Sequence, residues 1–183
     1  MTQATQATQA TGATGATTAS IYKTPEGEKA VMALYDQMLA RWPVPYTTAV
    51  LPTRHGDTFV IASGPVGAPP VVLLHGAASN ALAWMGDIGE YSKELRVYAV
   101  DLPGEPGRSS HNRPPWTGPA YVEWMAHLLG GLGLEQAALV ARKTIRYEQG
   151  LLNDDKPGAR VAGLLAVQGW VDSRRLLDGV ARD

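Results

Sequence analysis

The sequence predicts an α/β fold with a mainly parallel sheet, flanking helices and a leading antiparallel hairpin. Three short apolar runs support this prediction, at residues 70–74, 97–100 and 137–140. Each run is bounded by turn-forming or polar residues, which is typical of strands buried on both faces. The first run leads through a His75-Gly76 turn to a helix start, and strand, glycine turn, helix is the order found in parallel-sheet proteins. Such sheets place their ligands at the carboxyl ends of the strands.

The N-terminal segment divides into a tail and a helix. Residues 1–20 consist mainly of Thr-Gln-Ala and Thr-Gly-Ala repeats without charge or aromatic side chains, so we predict a disordered tail. Residues 21–183 are then expected to form a single, partial α/β domain. A helix is predicted from about Pro25 to Ala40, and packing on its own domain is preferred to a docking role. Its apolar face comprises Val31, Leu34, Tyr35, Met38 and Leu39.

The following elements are predicted from turn and cap signals. Strands Thr47–Leu51 and Thr58–Ala62 flank a His55-Gly56-Asp57 turn, which indicates a hairpin. Asn80 is a good N-cap for a helix that begins at Ala81. A second helix is predicted from about Pro119 to Leu129, where a glycine-rich run ends it.

Two motifs resemble the α/β-hydrolase family. One is the His75-Gly76 turn after a buried strand, and the other is the Asp-x-x-Gly-x-x-Gly-x-Ser loop at residues 101–109. The resemblance runs from about Ile21 to Val140, with a weaker continuation to about Gln168. It implies a hydrolase, most often of carboxylic esters, that uses a covalent serine mechanism without a cofactor. It also implies an oxyanion-hole region at His75, Gly76 and Ala77.

The resemblance further implies a Gly-x-Ser-x-Gly nucleophile elbow after the strand at residues 137–140. The sequence instead continues Ala141-Arg142-Lys143-Thr144-Ile145, so Lys143 occupies the position of the nucleophile. No other serine has glycines at the required spacing. Natural divergence, a frameshift and a gene-model error all remain open as explanations.

The remaining sequence predicts one more strand, at Arg160–Val167, on the strand–helix–strand plan, and a short helix at 172–182. The chain is not expected to hold the later acid and histidine of a triad. We therefore expect the fold to be incomplete on its C-terminal side, with an exposed sheet edge.

Other candidate catalytic groups have weaker support. Ser109, Ser110 and His111 are adjacent, but neighbours in a loop rarely have the geometry that a base requires, so a solvated loop is preferred. His55, His75 and His127 are expected to be structural or surface residues. Lys143 could act as an amine nucleophile if burial lowered its pKa, but two flanking arginines favour a solvated basic cluster.

Composition restricts the function further. The chain has 183 residues, a formal net charge of −1 and no cysteine, so disulfides and a cysteine nucleophile are excluded. Neither nucleic acid nor a membrane is an expected partner, no metal or other cofactor is expected, and a cytoplasmic location is predicted. The expected function is an ester-type hydrolase that is inactive or very weak. The alternative is a non-catalytic binding protein, with an ester-like ligand or a homo-oligomer that pairs through a sheet edge.

Overall fold

The computed structural model describes residues 20–115 and 119–141 and the backbone of the strand at 167–172. Helix α1 spans Pro25–Leu39 and is followed by strands β1 (Tyr46–Leu51), β2 (Thr58–Ser63) and β3 (Pro70–Leu74). A 3₁₀-helix at Ala81–Trp84 and a short helix α2 (Ile88–Tyr91) lead to β4 (Arg96–Val100). Helix α3 (Ala120–Gly131), β5 (Gln136–Ala141) and β6 (Val167–Asp172) complete the described elements.

The strands form one six-stranded sheet in the order β1-β2-β4-β3-β5-β6. The three central strands are parallel, with β3 between β4 and β5. The pairs β1–β2, β2–β4 and β5–β6 are antiparallel. The α/β class and the leading hairpin are therefore confirmed, but the sheet is mixed, because the parallel pairs are confined to its centre.

Two apolar layers cover the sheet. One lies under α1, the 3₁₀-helix and α2, and includes Tyr35, Trp84 and Leu73. The other lies under α3 and includes Trp124, Leu128 and Val72. Successive residues of β3 point to opposite layers, so its unbroken aliphatic run fits a strand buried on both faces.

Helix α1 begins as predicted, with Thr24 accepting a hydrogen bond from the Gly27 amide. Its predicted five-residue apolar face is wrong in extent. Only Tyr35 and Leu39 are buried. Leu34 is 57% exposed, and Val31 and Met38 are also exposed, to a smaller extent. A helix that rests on one sheet face buries a narrow seam, and the outer positions of a wide stripe remain in solvent.

The helix predicted after Asn80 is also different in detail. Asn80 caps it, accepting a hydrogen bond from the Leu82 amide at 3.1 Å. The segment is a four-residue 3₁₀-helix, and Met85, Gly86 and Asp87 separate it from α2. The asparagine signal identified where the helix begins but not its type.

The predicted strand at Arg160–Val167 lies outside the described residues except for Val167. The described strand is β6, which begins at Val167 and pairs antiparallel to β5. The predicted tail lies outside the described residues up to residue 19, and so do Lys143 and residues 173–182 of the predicted last helix.

Buried side-chain hydrogen bonds join the helices to the sheet. The indole of Trp124 on α3 donates to the hydroxyl of Thr58 on β2 at 2.9 Å. On the other face, the indole of Trp42 donates to the hydroxyl of Ser63 at 3.0 Å. Both hydroxyls and both tryptophans are buried, so among the described residues each indole N–H relies on its strand partner for a hydrogen bond.

We expect Thr58→Val to lower the free energy of unfolding by about 1–3 kcal/mol, because it leaves the buried Trp124 indole without an acceptor at nearly constant volume. Urea denaturation measures the change. Thr48→Val, the same substitution at an exposed position of β1, is the matched control and should change stability by less than about 0.5 kcal/mol. Equal stability of the two variants would contradict a contribution from this hydrogen bond.

Candidate functional site

The candidate site lies where the parallel strands β3 and β4 end. Leu74 pairs with Val100, so the segments that follow these strands start at the same edge of the sheet. We call residues 75–80 the β3 turn and residues 101–110 the β4 loop. These two segments contain both of the motifs identified in the sequence, and they are joined by several hydrogen bonds.

Asp101 is the centre of the β4 loop. Its carboxylate is fully buried and accepts the backbone N–H groups of Ala81 and Arg108, each at 2.7 Å. Burial raises its pKa, and the two amides act in the opposite direction because they favour the charged form. A Cβ atom on Gly107 would lie 2.6 Å from the Asp101 carboxylate, which explains why this motif position holds glycine.

The motif serine fastens the β4 loop to β2. The Ser109 hydroxyl donates to the Asp101 carbonyl at 2.6 Å and accepts the Phe59 amide at 2.8 Å. His111 instead faces Glu28, at 3.6 Å, and the ring of Tyr22. No Ser–His pair forms, and Ser109 is 4% exposed, so the solvated-loop interpretation is wrong at this residue.

Tyr35 of α1 covers the buried carboxylate from above the sheet. Its hydroxyl is buried and makes no hydrogen bond of ordinary geometry, although Asp101 is near enough to affect it. Burial raises the pKa of this phenol far above its usual range, with a smaller contribution from Asp101. The phenol therefore remains neutral.

His75 links the two segments. Its Nε2 accepts the Leu102 amide at 2.9 Å, and its Nδ1 lies 2.7 Å from the Gly76 carbonyl. We assign the neutral form protonated at Nδ1, because Nε2 must accept and Nδ1 must donate. Burial lowers the pKa of His75 and outweighs the Gly76 carbonyl, Asp101 and Glu105, which favour the charged ring. Both ring nitrogens are therefore engaged in holding backbone.

The β3 turn has the geometry to present an amide donor. A trans peptide plane carries the Gly76 carbonyl on one side and the Ala77 N–H on the other, so the bond to His75 directs that N–H away from the imidazole. The Ala77 amide donates no hydrogen bond to another residue of the described ranges. The next amide, of Ala78, is occupied by Glu105 at 2.7 Å.

Sequence reasoning missed Glu105 and Arg113. Glu105 is 4% exposed, and its second oxygen lies 3.2 Å from the Arg113 guanidinium. The acidic residue between two glycines of the motif was a weak signal. Nothing local indicated Arg113, which lies beyond the motif.

The other histidines lie away from the two strand ends. His55, at the hairpin turn, lies 3.0 Å from a carboxylate oxygen of Glu123 on α3. Its backbone carbonyl accepts the side-chain amide of Asn112 at 3.1 Å, so it joins the hairpin turn to α3 and to the segment after the β4 loop. His127 is exposed on α3. These positions agree with the structural and surface roles expected for them.

Searches of the described residues for other sites give two findings. No helix there is both long and apolar enough to cross a membrane. No group of three or more histidine or acidic residues in the same part of the chain has the arrangement of a metal site. The predicted absence of a cofactor stays a prediction.

Comparison with known proteins finds a family match over part of the chain. Residues 71–145 match the alpha/beta hydrolase family. This match supports an α/β-hydrolase fold for the part of the chain that it covers, in agreement with the resemblance of the two motifs.

The chain is similar to carboxylesterases in particular. It is 38% identical over 106 residues to the uncharacterized carboxylesterase nap of Bacillus subtilis (strain 168), covering 58% of this chain and 35% of that protein. It is 39% identical over 105 residues to carboxylesterase YbfK of the same organism, covering 57% and 36%. The crystal structure of carboxylesterase CesB (YbfK) from Bacillus subtilis is also similar, with a TM-score of 0.58 and 36% identity over 64% of this chain and 41% of that chain. The chain thus spans about a third of the length of these curated relatives.

The neutral His75 predicts a specific pH dependence of stability. Because its folded-state pKa lies below the ordinary value of 6.5, the unfolded chain binds more protons in the window just below pH 6.5. Stability from this residue is therefore present above pH 6.5 and is lost as the pH falls. The raised pKa of Asp101 acts in the opposite sense from its ordinary value of 3.8 upwards, so the comparison must isolate His75.

We expect His75→Gln, which keeps an acceptor and a donor but does not titrate, to reduce the loss of stability between pH 6.5 and 5. Urea denaturation at several pH values measures the slope for both proteins. His127→Gln, at an exposed histidine, is the matched control and should retain the wild-type slope. A His75→Gln profile parallel to wild type would contradict the buried neutral imidazole.

Proposed function

We propose that this chain has an α/β-hydrolase fold related to hydrolases of carboxylic esters. It binds ester-like ligands but has little or no serine-dependent turnover. Its similarity to carboxylesterases supports the ligand class. The observation that carries the proposal is the end of β5. Ala141 pairs with Leu74, so β5 ends at the level where the β3 turn begins. The residues that follow in the sequence are Arg142-Lys143-Thr144, without a serine or flanking glycines.

The chemistry of acyl transfer explains why this substitution matters. A covalent mechanism needs a nucleophile, a base that removes its proton and donors that stabilise the oxyanion. The Ala77 amide is a candidate oxyanion donor, but the sequence at 141–145 offers no serine nucleophile. An amine at Lys143 is protonated at neutral pH unless burial lowers its pKa. Arg142 precedes Lys143 and Arg146 follows it, which favours a solvated basic cluster. Binding without turnover is the function that these residues support best.

We expect this chain to hydrolyse a short-chain aryl ester at the uncatalysed rate, measured by release of the phenol. Lys143→Ala should give the same rate, since no step is assigned to the amine. Lys29→Ala, at an exposed lysine of α1, controls for general reaction of lysines with aryl esters.

Two outcomes would overturn the proposed loss of catalysis. One is turnover that Lys143→Ala abolishes and Lys29→Ala does not. The other is covalent labelling of one serine by a serine-directed phosphonate. In either case the chain contains a working nucleophile, and the proposal is wrong.

A second candidate function, association of copies through a sheet edge, is favoured by strand β1. This strand is at the edge of the sheet, and five of its six residues are exposed. It contains no charged residue, and Tyr46 and Val50 are 38% and 56% exposed on the same face. Edge strands without charges, prolines or bulges tend to pair with other strands.

For this second function we expect the chain to be a dimer that Val50→Lys dissociates, because a lysine on an edge strand disfavours pairing with another strand. Light scattering coupled to size-exclusion chromatography measures the mass. Val66→Lys, the same change at an exposed loop position, should leave the dimer intact. A monomeric wild-type chain would exclude this association.

A further inference from the structure

We propose that Glu105 is a positioning residue of the ester-binding site. It holds the β3 turn in the conformation that presents the Ala77 amide, and Arg113 holds Glu105 in place. The role assigned to the turn rests on the proposed ester-binding function. The interaction between Glu105 and the turn rests on the geometry of the described residues alone.

The backbone of Ala78 requires such a partner. Its φ angle is +55°, and among the described residues it alone has a positive φ without being glycine. Left-handed backbone brings the Cβ of an alanine close to the following carbonyl oxygen and is unfavourable without compensation. Ala78 is exposed, so packing of its methyl group does not provide that compensation. Its amide, however, donates to the Glu105 carboxylate at 2.7 Å.

The carboxylate is itself fixed. Glu105 is 4% exposed, and a carboxylate removed from water needs partners for both oxygens. One oxygen accepts the Ala78 amide, and the other lies 3.2 Å from Arg113. The same guanidinium donates to the Gly104 carbonyl at 2.6 Å, so Arg113 clamps the side chain and the backbone of the β4 loop together. Charge-assisted hydrogen bonds of this kind are stronger than neutral ones.

Two successive peptide planes are thereby held by two side chains. His75 holds the plane between Gly76 and Ala77 through the Gly76 carbonyl, and Glu105 holds the plane between Ala77 and Ala78 through the Ala78 amide. The Ala77 N–H belongs to the plane between Gly76 and Ala77. Because the plane between Ala77 and Ala78 is also held, the backbone of Ala77 cannot rotate freely. With both planes fixed, the Ala77 N–H points in a single direction. This is the preorganisation that an oxyanion donor requires.

The first experiment measures hydrogen exchange of the Ala78 amide by NMR, and it needs no catalytic activity. Glu105→Ala should accelerate this exchange roughly 10- to 100-fold, since a hydrogen bond to a charged acceptor is lost. It should also shift the Ala77 amide resonance. Glu105→Gln, which keeps an oxygen acceptor but loses the charge, should have a smaller effect. Arg113→Ala, which frees the carboxylate, should also accelerate exchange.

Glu90→Ala is the matched control, because Glu90 is an exposed glutamate on α2 that contacts Lys93. It should leave Ala78 exchange unchanged. If Glu105→Ala does not fold, Glu105→Gln and Arg113→Ala carry the test. Ala78 exchange within two-fold of wild type in all folded variants at these two positions would overturn the proposal.

The second experiment titrates the chain with an aryl phosphonate monoester anion, observed through the Ala77 amide. We expect saturable binding that shifts this resonance, and roughly 10-fold weaker binding in Glu105→Ala, as for one hydrogen bond of about 1.4 kcal/mol. If wild type does not bind, the ester-binding function fails and Glu105 has no role in a site. The exchange experiment then still decides whether Glu105 holds the turn.

Discussion

The buried carboxylate of Asp101 is the interaction on which the site depends. A carboxylate without contact with water is unfavourable unless hydrogen bonds replace its hydration. Two backbone amides do so here, from Ala81 and Arg108, and they belong to different segments of the chain. Because both amides must reach one carboxylate, the start of the 3₁₀-helix and the β4 loop have fixed positions relative to β4. Ser109 extends the same constraint to β2 through the Phe59 amide.

This constraint reaches the β3 turn through side chains next to Asp101 in the fold. The Leu102 amide follows Asp101 directly and donates to His75, which in turn binds the Gly76 carbonyl. Glu105 lies in the same rigid loop and accepts the Ala78 amide. The left-handed conformation of an alanine is thus maintained by groups whose own positions are set by Asp101. Strain of this kind persists where the surrounding structure over-determines it.

The sequence was sufficient to predict the strands of the sheet as far as β5, because aliphatic runs, glycine turns and a hairpin turn are local signals. Elements that depend on tertiary contacts were predicted less well. The buried face of α1 is narrower than its apolar stripe, since only Tyr35 and Leu39 of that stripe are buried. In the site, the motifs identified His75 and the β4 loop. The hydrogen bond from Ala78 to Glu105 joins residues 27 positions apart, and no periodicity or spacing predicts such a contact.

The described supports of the β3 turn all come from residues that precede β5. His75 binds within its own turn and to Leu102, Glu105 lies in the β4 loop, and Arg113 follows that loop. The segment that would carry a nucleophile begins only after Ala141, at the end of a different strand. The proposed donor and the position expected for a nucleophile therefore lie in separate parts of the chain. Residues 141–145 include no serine, and none of the described supports of the β3 turn comes from them, which is the physical basis for proposing binding without turnover.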